Sequence, residues 1–270
     1  MTHIKAPYHK VMAILNVTPD SFYAASRAAN DPMIAERVAK MVAEGADIID
    51  IGGYSTRPGA DVVDYQEEIS RVMRGVEVCR RVAPDVTLSI DTFRASVAEE
   101  VLAHNDNIII NDITAGEAEP RLVDVVARYG APMVAMHTRG TPQTMATLTD
   151  YKDVVGEVAD YLKGRAEWLK ERGVSEVIID PGIGFAKSIE QNFRLIEHLD
   201  ELCSLGYAVL AGISRKSFIY KTLGIRPEES LEATTALHWA CLGAGAAILR
   251  VHDVAAARQT ITLFEQTYKD

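Results

Sequence analysis

Short apolar runs, each closed by a polar residue, recur along the chain. They are VMAILN from Val11, DIIDIGG from Asp47, VTLSID from Val86 and IIIND from Ile108, followed by PMVAMH from Pro132, EVIIDPG from Glu176, AVLAGISR from Ala208 and AAILRVHD from Ala246. Apolar residues at consecutive positions over so short a span fit a strand covered on both faces, which is the strand of a parallel sheet. Segments of helical period lie between the runs. Asp31-Pro32 ahead of MIAERVAKMVAEG reads as an N-cap, a proline at the first helical position, an amphipathic body and a glycine stop. Asp64 with Glu67 predicts a capping box opening YQEEISRVMRGVEVCRRVA, which ends before Pro84. RASVAEEVLAH, PRLVDVVARYG, DVVGEVADYLKGRAEWLKERG, IEQNFRLIEHLDELCSLG, SLEATTALHWACLGAG and VAAARQTITLFEQTYKD complete the helical set.

Strand and helix thus alternate eight times with no linker, repeat or low-complexity tract. That predicts one domain over residues 1–270, a (β/α)8 TIM barrel, with a doubly wound open sheet as the alternative. Right-handed crossovers put every strand C-terminus on one rim. In chain order the strand ends present Asn16, Asp50, Asp91, Asn111 with Asp112, His137, Asp180, Ser214 with Arg215 and Lys216, and Arg250 with His252. Solvation explains any single polar strand end. A polar group at all eight points to the C-terminal rim as the place where chemistry collects.

Composition narrows the partners. The chain is 48% hydrophobic and 24% charged, which excludes disordered and fibrous classes. Its 28 Lys and Arg against 38 Asp and Glu leave a net charge of −10, poor for nucleic acid or an anionic membrane, although a local basic pocket could hold a small anion. Cys79, Cys203 and Cys241 are far apart and form no C-x-x-C, which suits reduced thiols. No apolar run approaches the ~18 residues of a membrane span, and the run in MTHIKAPYHKVMAIL is too short for a signal-peptide core. A cytoplasmic protein is expected. GIGFAKS is no P-loop, since Ala186 precedes the lysine and the glycine spacing is one short; Gly243 and Gly245 enter a strand rather than leave one.

The segments ILNVTPDSF, IGGYSTRPGA and DPGIGFAKS, with SIDT, INDITAG, MHTRGTP, GISRKSF and RVHDV, closely resemble the dihydropteroate synthase family, in family order from about Val11 to Val254. The resemblance implies an enzyme of folate biosynthesis that joins a 7,8-dihydropterin bearing a hydroxymethyl diphosphate to the amine of p-aminobenzoate, with Mg2+ assisting the leaving group. It assigns Asp180 to the donor edge of the pterin, which a carboxylate accepts in bidentate fashion, and adds Asp91, Asn111, Lys216 and Arg250 as pterin contacts. Diphosphate and metal fall to Asn16, and diphosphate also to Arg57, Arg250 and His252. Thr56, Pro58, Phe185 and Ser214 would receive p-aminobenzoate. A dissociative, SN1-like step follows, because the electron-rich dihydropterin can share the charge left when diphosphate departs; no side-chain nucleophile is needed. Sulfonamides would compete with p-aminobenzoate, and a homodimer through helices near the C-terminus is implied.

Two departures stand out. After Phe22 the family continues with a polar residue and Asp-Gly-Gly, whereas this chain has Tyr23, Ala24, Ala25 and Ser26; Tyr54 replaces the Glu that precedes S-T-R-P. Asp31 could substitute for the lost acid, but its place before Pro32 fits an N-cap better. Turnover is still expected, with altered loop closure or metal dependence. The rival functions are a non-catalytic pterin-binding homologue and a corrinoid-linked methyltetrahydrofolate methyltransferase, the latter having no need of the STRPG and SRKS loops.

Overall fold

The computed structural model describes residues 9–18, 27–54, 63–141 and 144–269. Its eight strands are β1 (Lys10–Asn16), β2 (Ile48–Gly52), β3 (Thr87–Asp91), β4 (Ile108–Asp112), β5 (Met133–Met136), β6 (Val177–Asp180), β7 (Ala208–Ala211) and β8 (Ile248–Val251). They pair in sequence order, all parallel, and β8 returns to β1, so the sheet is a closed barrel and the open doubly wound alternative is excluded. Around it run α1 (Arg27–Ala43), α2 (Tyr65–Val82), α3 (Ala95–His104), α4 (Arg121–Arg128), α5 (Val154–Glu171), α6 (Ile189–Glu197), α7 (Leu199–Cys203), α8 (Ser217–Leu223), α9 (Leu231–Ala244) and α10 (Val254–Thr267).

Two helix signals need correction. Helix α1 begins at Arg27 and carries Pro32 inside it, so Asp31 is not its N-cap. The Asp31 carboxylate instead accepts a hydrogen bond from Nε of Arg74 on α2, an ion pair that spends the charge between two outer helices. The long helix expected over IEQNFRLIEHLDELCSLG is broken at His198 into α6 and α7. Its start is firm, because Ser188 and Gln191 form a capping box in which each side chain accepts from the other's backbone N–H. At α2, Asp64 does cap: its Oδ1 accepts the Gln66 N–H at 2.9 Å, while Glu67 is engaged by Arg71 one turn on.

Side chains alternate across a strand, and here the two faces do different work. Positions such as Val11, Leu15, Ile49, Ile51, Leu88, Ile90, Ile110, Ile179 and Leu249 face outward and pack with the helices in the main hydrophobic cluster. Met12, Ile48, Ile109, Val134, Ile178, Leu210 and Ile248 form a second cluster inside the barrel. Two residues further along the inward rows the chemistry changes: Ile48 is followed by Asp50, Ile109 by Asn111, Ile178 by Asp180 and Ile248 by Arg250. The barrel interior is therefore an apolar floor under a polar mouth. A cavity of about 830 Å³ opens at the opposite end, where the strand starts meet that floor; in barrels of this kind the N-terminal face serves stability rather than chemistry.

Because the outer layer carries most of the buried surface, Ile179→Ala, which empties a fully enclosed site, should lower the free energy of unfolding by about 2–5 kcal/mol. Met33→Ala, at a side chain 49% exposed, should change it by less than about 0.5 kcal/mol. Denaturant titration followed by circular dichroism checks this; equal shifts would contradict the assignment of the main core to the barrel–helix interface.

Candidate active site

Strand register sets the height of the polar mouth. Asn16 pairs with Gly52, Gly52 with Asp91 and Asp91 with Asn111, so four neighbouring strands end at one level. Gly52 lies between two of them: a Cβ on it would be in ordinary contact with Asn16 Oδ1, at 3.4 Å, and with Asp91 Cβ, at 3.8 Å. One step below, Asp50 is fully enclosed. Arg250, from β8, donates through Nε to Asp50 Oδ2 at 2.6 Å and through Nη2 to Asp91 Oδ2 at 2.8 Å. Asn111 Nδ2 adds a hydrogen bond to Asp50 Oδ2 at 3.2 Å. Burial disfavours charge on Arg250, but the two carboxylates outweigh it and hold the guanidinium firmly charged. Burial also raises Asp91 well above the ordinary carboxylate range, with Arg250 opposing and Asp50 reinforcing the shift. Asp50 is the residue the sequence pattern undervalues. The signal was available, because it shares the inward parity of Ile48 and Gly52.

Across the mouth, Asp180 ends β6. Its Oδ1 accepts the Gly182 N–H at 2.7 Å. A Cβ on Gly212, just after β7, would lie 3.6 Å from Asp180 Oδ2 and 3.8 Å from Lys216 Nζ. The carboxylate oxygen and the ammonium thus converge on the same side of Gly212. Burial lowers the Lys216 pKa to about 8, with Asp180 opposing and Arg250 adding to the shift; burial raises that of Asp180, with Lys216 opposing. Lys216 Nζ also donates to the Ile183 carbonyl and lies 4.5 Å from the centre of the Phe185 ring. Gly184, at φ +86°, lets the loop pass the lysine: a Cβ there would come within 2.7 Å of Lys216 Cδ.

The loop after β7 is fastened from outside. Arg215 grips Asp253 with two hydrogen bonds, at 2.7 and 2.8 Å, and donates to the carbonyls of Pro227 and Glu228. Ser214 is buried, and its hydroxyl takes the His252 N–H at 3.1 Å and lies 3.1 Å from His252 Nδ1. When that hydroxyl donates to Nδ1, a neutral ring keeps its proton on Nε2. Ser214 is therefore turned to His252 rather than outward to a carboxylate ligand; the exposed serine of this segment is Ser217.

On the β2 side, Tyr54 receives the Arg94 guanidinium 5.4 Å from its ring centre and meets Phe93 edge-on at 5.7 Å. Arg94 also pairs at 2.9 Å with Glu68, which is fully enclosed and accepts a hydrogen bond from Thr92 Oγ1 at 2.7 Å. Asp112 is a structural carboxylate: it takes the N–H and hydroxyl of Thr114 and the N–H of Gly116, folding the turn after β4.

The mouth thus brings together Asn16, Asp91, Asn111, Asp180, Lys216, Phe185, Arg250 and His252, with Ser214 behind the histidine. Thr56, Arg57 and Pro58 lie outside the described residues, as do Tyr23, Ala24, Ala25 and Ser26. Asp31 is tied to Arg74. Among the described residues no three His, Cys, Asp or Glu side chains are grouped to hold a metal ion, none of the three cysteines is in a disulfide, and no helix is long and apolar enough to cross a membrane.

The model of the family described as pterin binding enzyme matches residues 12–252. A dihydropteroate synthase from Synechocystis sp. is 44% identical over 252 residues, covering 92% of this chain and 86% of the relative. The crystal structure of the Thermus thermophilus dihydropteroate synthase in complex with 4-aminobenzoate superposes with a TM-score of 0.85 at 37% identity, covering 97% of this chain and 95% of that one. The Yersinia pestis enzyme, in a sulfonamide drug complex, gives a TM-score of 0.90 at 34% identity, covering 100% and 99%. Matched along nearly its whole length in both sequence and fold, the chain belongs to the pterin binding enzyme family, among its dihydropteroate synthases.

Proposed function

We infer that this chain catalyses the condensation of 6-hydroxymethyl-7,8-dihydropterin diphosphate with 4-aminobenzoate, giving 7,8-dihydropteroate and diphosphate in folate biosynthesis. The observation that carries the assignment is the convergence of the Asp180 carboxylate and the Lys216 ammonium beside Gly212. A flat heterocycle with adjacent N–H donors on one edge and a carbonyl and ring nitrogen on the other needs that pairing of acceptor and donor. Asn111 and Asp91 extend the polar wall, and Arg250 holds the Asp91 carboxylate in place.

In the reaction the bond between the pterin methylene and the diphosphate oxygen breaks, the aminobenzoate nitrogen bonds to that methylene, and the nitrogen sheds a proton. The charge that develops is a cation on the pterin and an extra negative charge on diphosphate, so placed dipoles and cations supply the main acceleration. Arg250, His252, Arg57 and Asn16 are assigned to the departing diphosphate. Asn16 is also the described residue suited to Mg2+. Its neutral amide oxygen would serve as one ligand, with diphosphate oxygens and water supplying the rest, a distribution that ion favours; bound there, Mg2+ would neutralise charge on the leaving group. Phe185, Thr56 and Pro58 are assigned to the aminobenzoate ring, where sulfonamides would compete. Ser217 replaces Ser214 as the serine available to its carboxylate, since Ser214 is occupied by His252. A homodimer in the cytoplasm belongs to the same proposal, supported by family membership, the acidic balance and the unpaired cysteines.

Diphosphate release measured with both substrates and Mg2+ should proceed in the wild type and stop in Lys216→Ala. Wild-type release no greater than that of Lys216→Ala, with pterin still bound, would establish a binding protein instead. Asp180→Asn, which turns a donor toward the donor edge of the pterin, should weaken pterin binding about 10- to 100-fold, the range of a hydrogen bond to a charged group; titration calorimetry reads this directly. The pH dependence of kcat/KM for the pterin diphosphate should be bell-shaped. Lys216 carries its charge below about 8 and loses it above, so activity falls on the alkaline side. Asp91, raised by burial, takes up a proton as pH drops, which places the acid limb above the ordinary carboxylate range. Lys216→Arg should move the alkaline limb upward; a limb that stays in place would remove Lys216 as its source.

A further inference from the structure

Lys187 closes the loop between β6 and α6 and has no part in the reaction as derived above. Its Nζ lies 3.0 Å from each of three acceptors: His137 Nδ1, the Gly182 carbonyl and the Phe185 carbonyl. An ammonium has three N–H donors, so this set uses all of them and leaves none for a ligand. Burial pulls the Lys187 pKa down to about 7, with Asp180 opposing, and acceptors on every side favour the protonated form. His137 meets the same loop in two further ways. Its N–H donates to the Asp180 carbonyl at 3.0 Å, and its own carbonyl is so close to Gly182 that a Cβ there would stand 1.9 Å from it. Burial, with the cations of Lys187 and Arg139, drives the His137 pKa down to about 3, so the ring is neutral and accepts at Nδ1. A T-shaped contact with Tyr161, 4.9 Å between centres, fixes the ring.

The loop that Lys187 ties down needs holding. Gly182, Gly184 and Ala186 have φ of +65°, +86° and +47°, and a left-handed alanine costs about 1–2 kcal/mol against the ordinary conformation. The loop also carries the Ile183 carbonyl that receives Lys216, and the Phe185 ring beside it. Within it the Phe185 N–H donates to the Gly182 carbonyl at 3.0 Å, and Asn192 of α6 accepts the Gly184 N–H at 2.5 Å; the Lys187 ammonium adds the link from both carbonyls of the turn to His137, just after β5.

We propose that Lys187, seated on His137, is a positioning residue for the aminobenzoate half of the reaction: by tying the Gly182 and Phe185 carbonyls together it sets the Phe185 ring against Lys216. The proposal rests on the assigned condensation. It explains why a lysine resembling that of a phosphate loop sits here without a phosphate to bind.

Steady-state kinetics on the full chain, with each substrate varied in turn, tests it by comparing wild type, Lys187→Met and Lys187→Arg. Methionine keeps the apolar stem and removes all three donors. Its KM for 4-aminobenzoate should rise about tenfold or more, the effect of losing one hydrogen bond to a charged group, while KM for the pterin diphosphate changes less than about threefold, because most of the groups assigned to that substrate, Asp91, Asn111, Asp180 and Arg250, are on strands. Lys187→Arg, retaining the cation and donors, should recover part of the loss. Unchanged KM values in a folded Lys187→Met, or a fall in kcat alone matching a smaller folded fraction, would overturn the proposal. Should Lys187→Met not fold, His137→Phe keeps a ring, removes the Nδ1 acceptor and is judged by the same two outcomes. A wild type that releases no diphosphate would instead remove the condensation itself, so the two failures are distinct.

Discussion

A guanidinium held between two carboxylates inside a closed barrel is the constraint on which the rest of the structure depends. Arg250 sits on β8, while Asp50 and Asp91 sit on β2 and β3, so their contact exists only when the barrel has closed and β8 lies against β1. Ionised groups taken out of water are costly unless paired with good geometry, and removing one partner is worse than never having had the pair. The three charges therefore specify closure at one register, and that register places Asn16, Gly52, Asp91 and Asn111 at a common height.

From this layer outward the site passes from rigid to adaptable. The floor is built on strands, whose hydrogen-bonded ladders fix the backbone. The walls are loops, and each loop is held by a cation reaching carbonyls or a carboxylate: Lys187 in the β6–α6 loop, Arg215 in the loop after β7, Arg94 beside the loop after β2. In a protein of net charge −10 these cations are spent on holding the loops, and the acidic exterior is no obstacle to an anionic substrate, since screening confines surface charges to about 10 Å or less in physiological salt.

The barrel was legible because its strands are apolar on both faces and alternate with helical periods, signals carried within short windows of sequence. The polar strand ends were legible for the same reason. What sequence could not supply was which groups meet. Asp50 and Arg250 lie 200 positions apart, and Ser214 and His252 both end strands without either revealing that one occupies the other. Asp31 misled because a proline after an acid usually begins a helix; here α1 starts earlier and a partner on α2 claims the carboxylate. Lys187 carries no local signal beyond a false phosphate loop, although its length and burial are what the turn requires. The substitution of Tyr54 could be placed only with Arg94 over its ring; the guanidinium lies on this aromatic face while it pairs with Glu68.

The change of character along the inward rows has a consequence for how such a protein can vary. Odd and even positions of one strand belong to different systems: Ile49 and Ile51 to the barrel–helix core, Ile48, Asp50 and Gly52 to the floor and mouth. A substitution in the first set bears on how long the molecule survives, and one in the upper part of the second on what it binds. Because the two sets share a backbone but not a face, robustness and selectivity are close to separate variables, and a lineage can trade in one with little disturbance to the other.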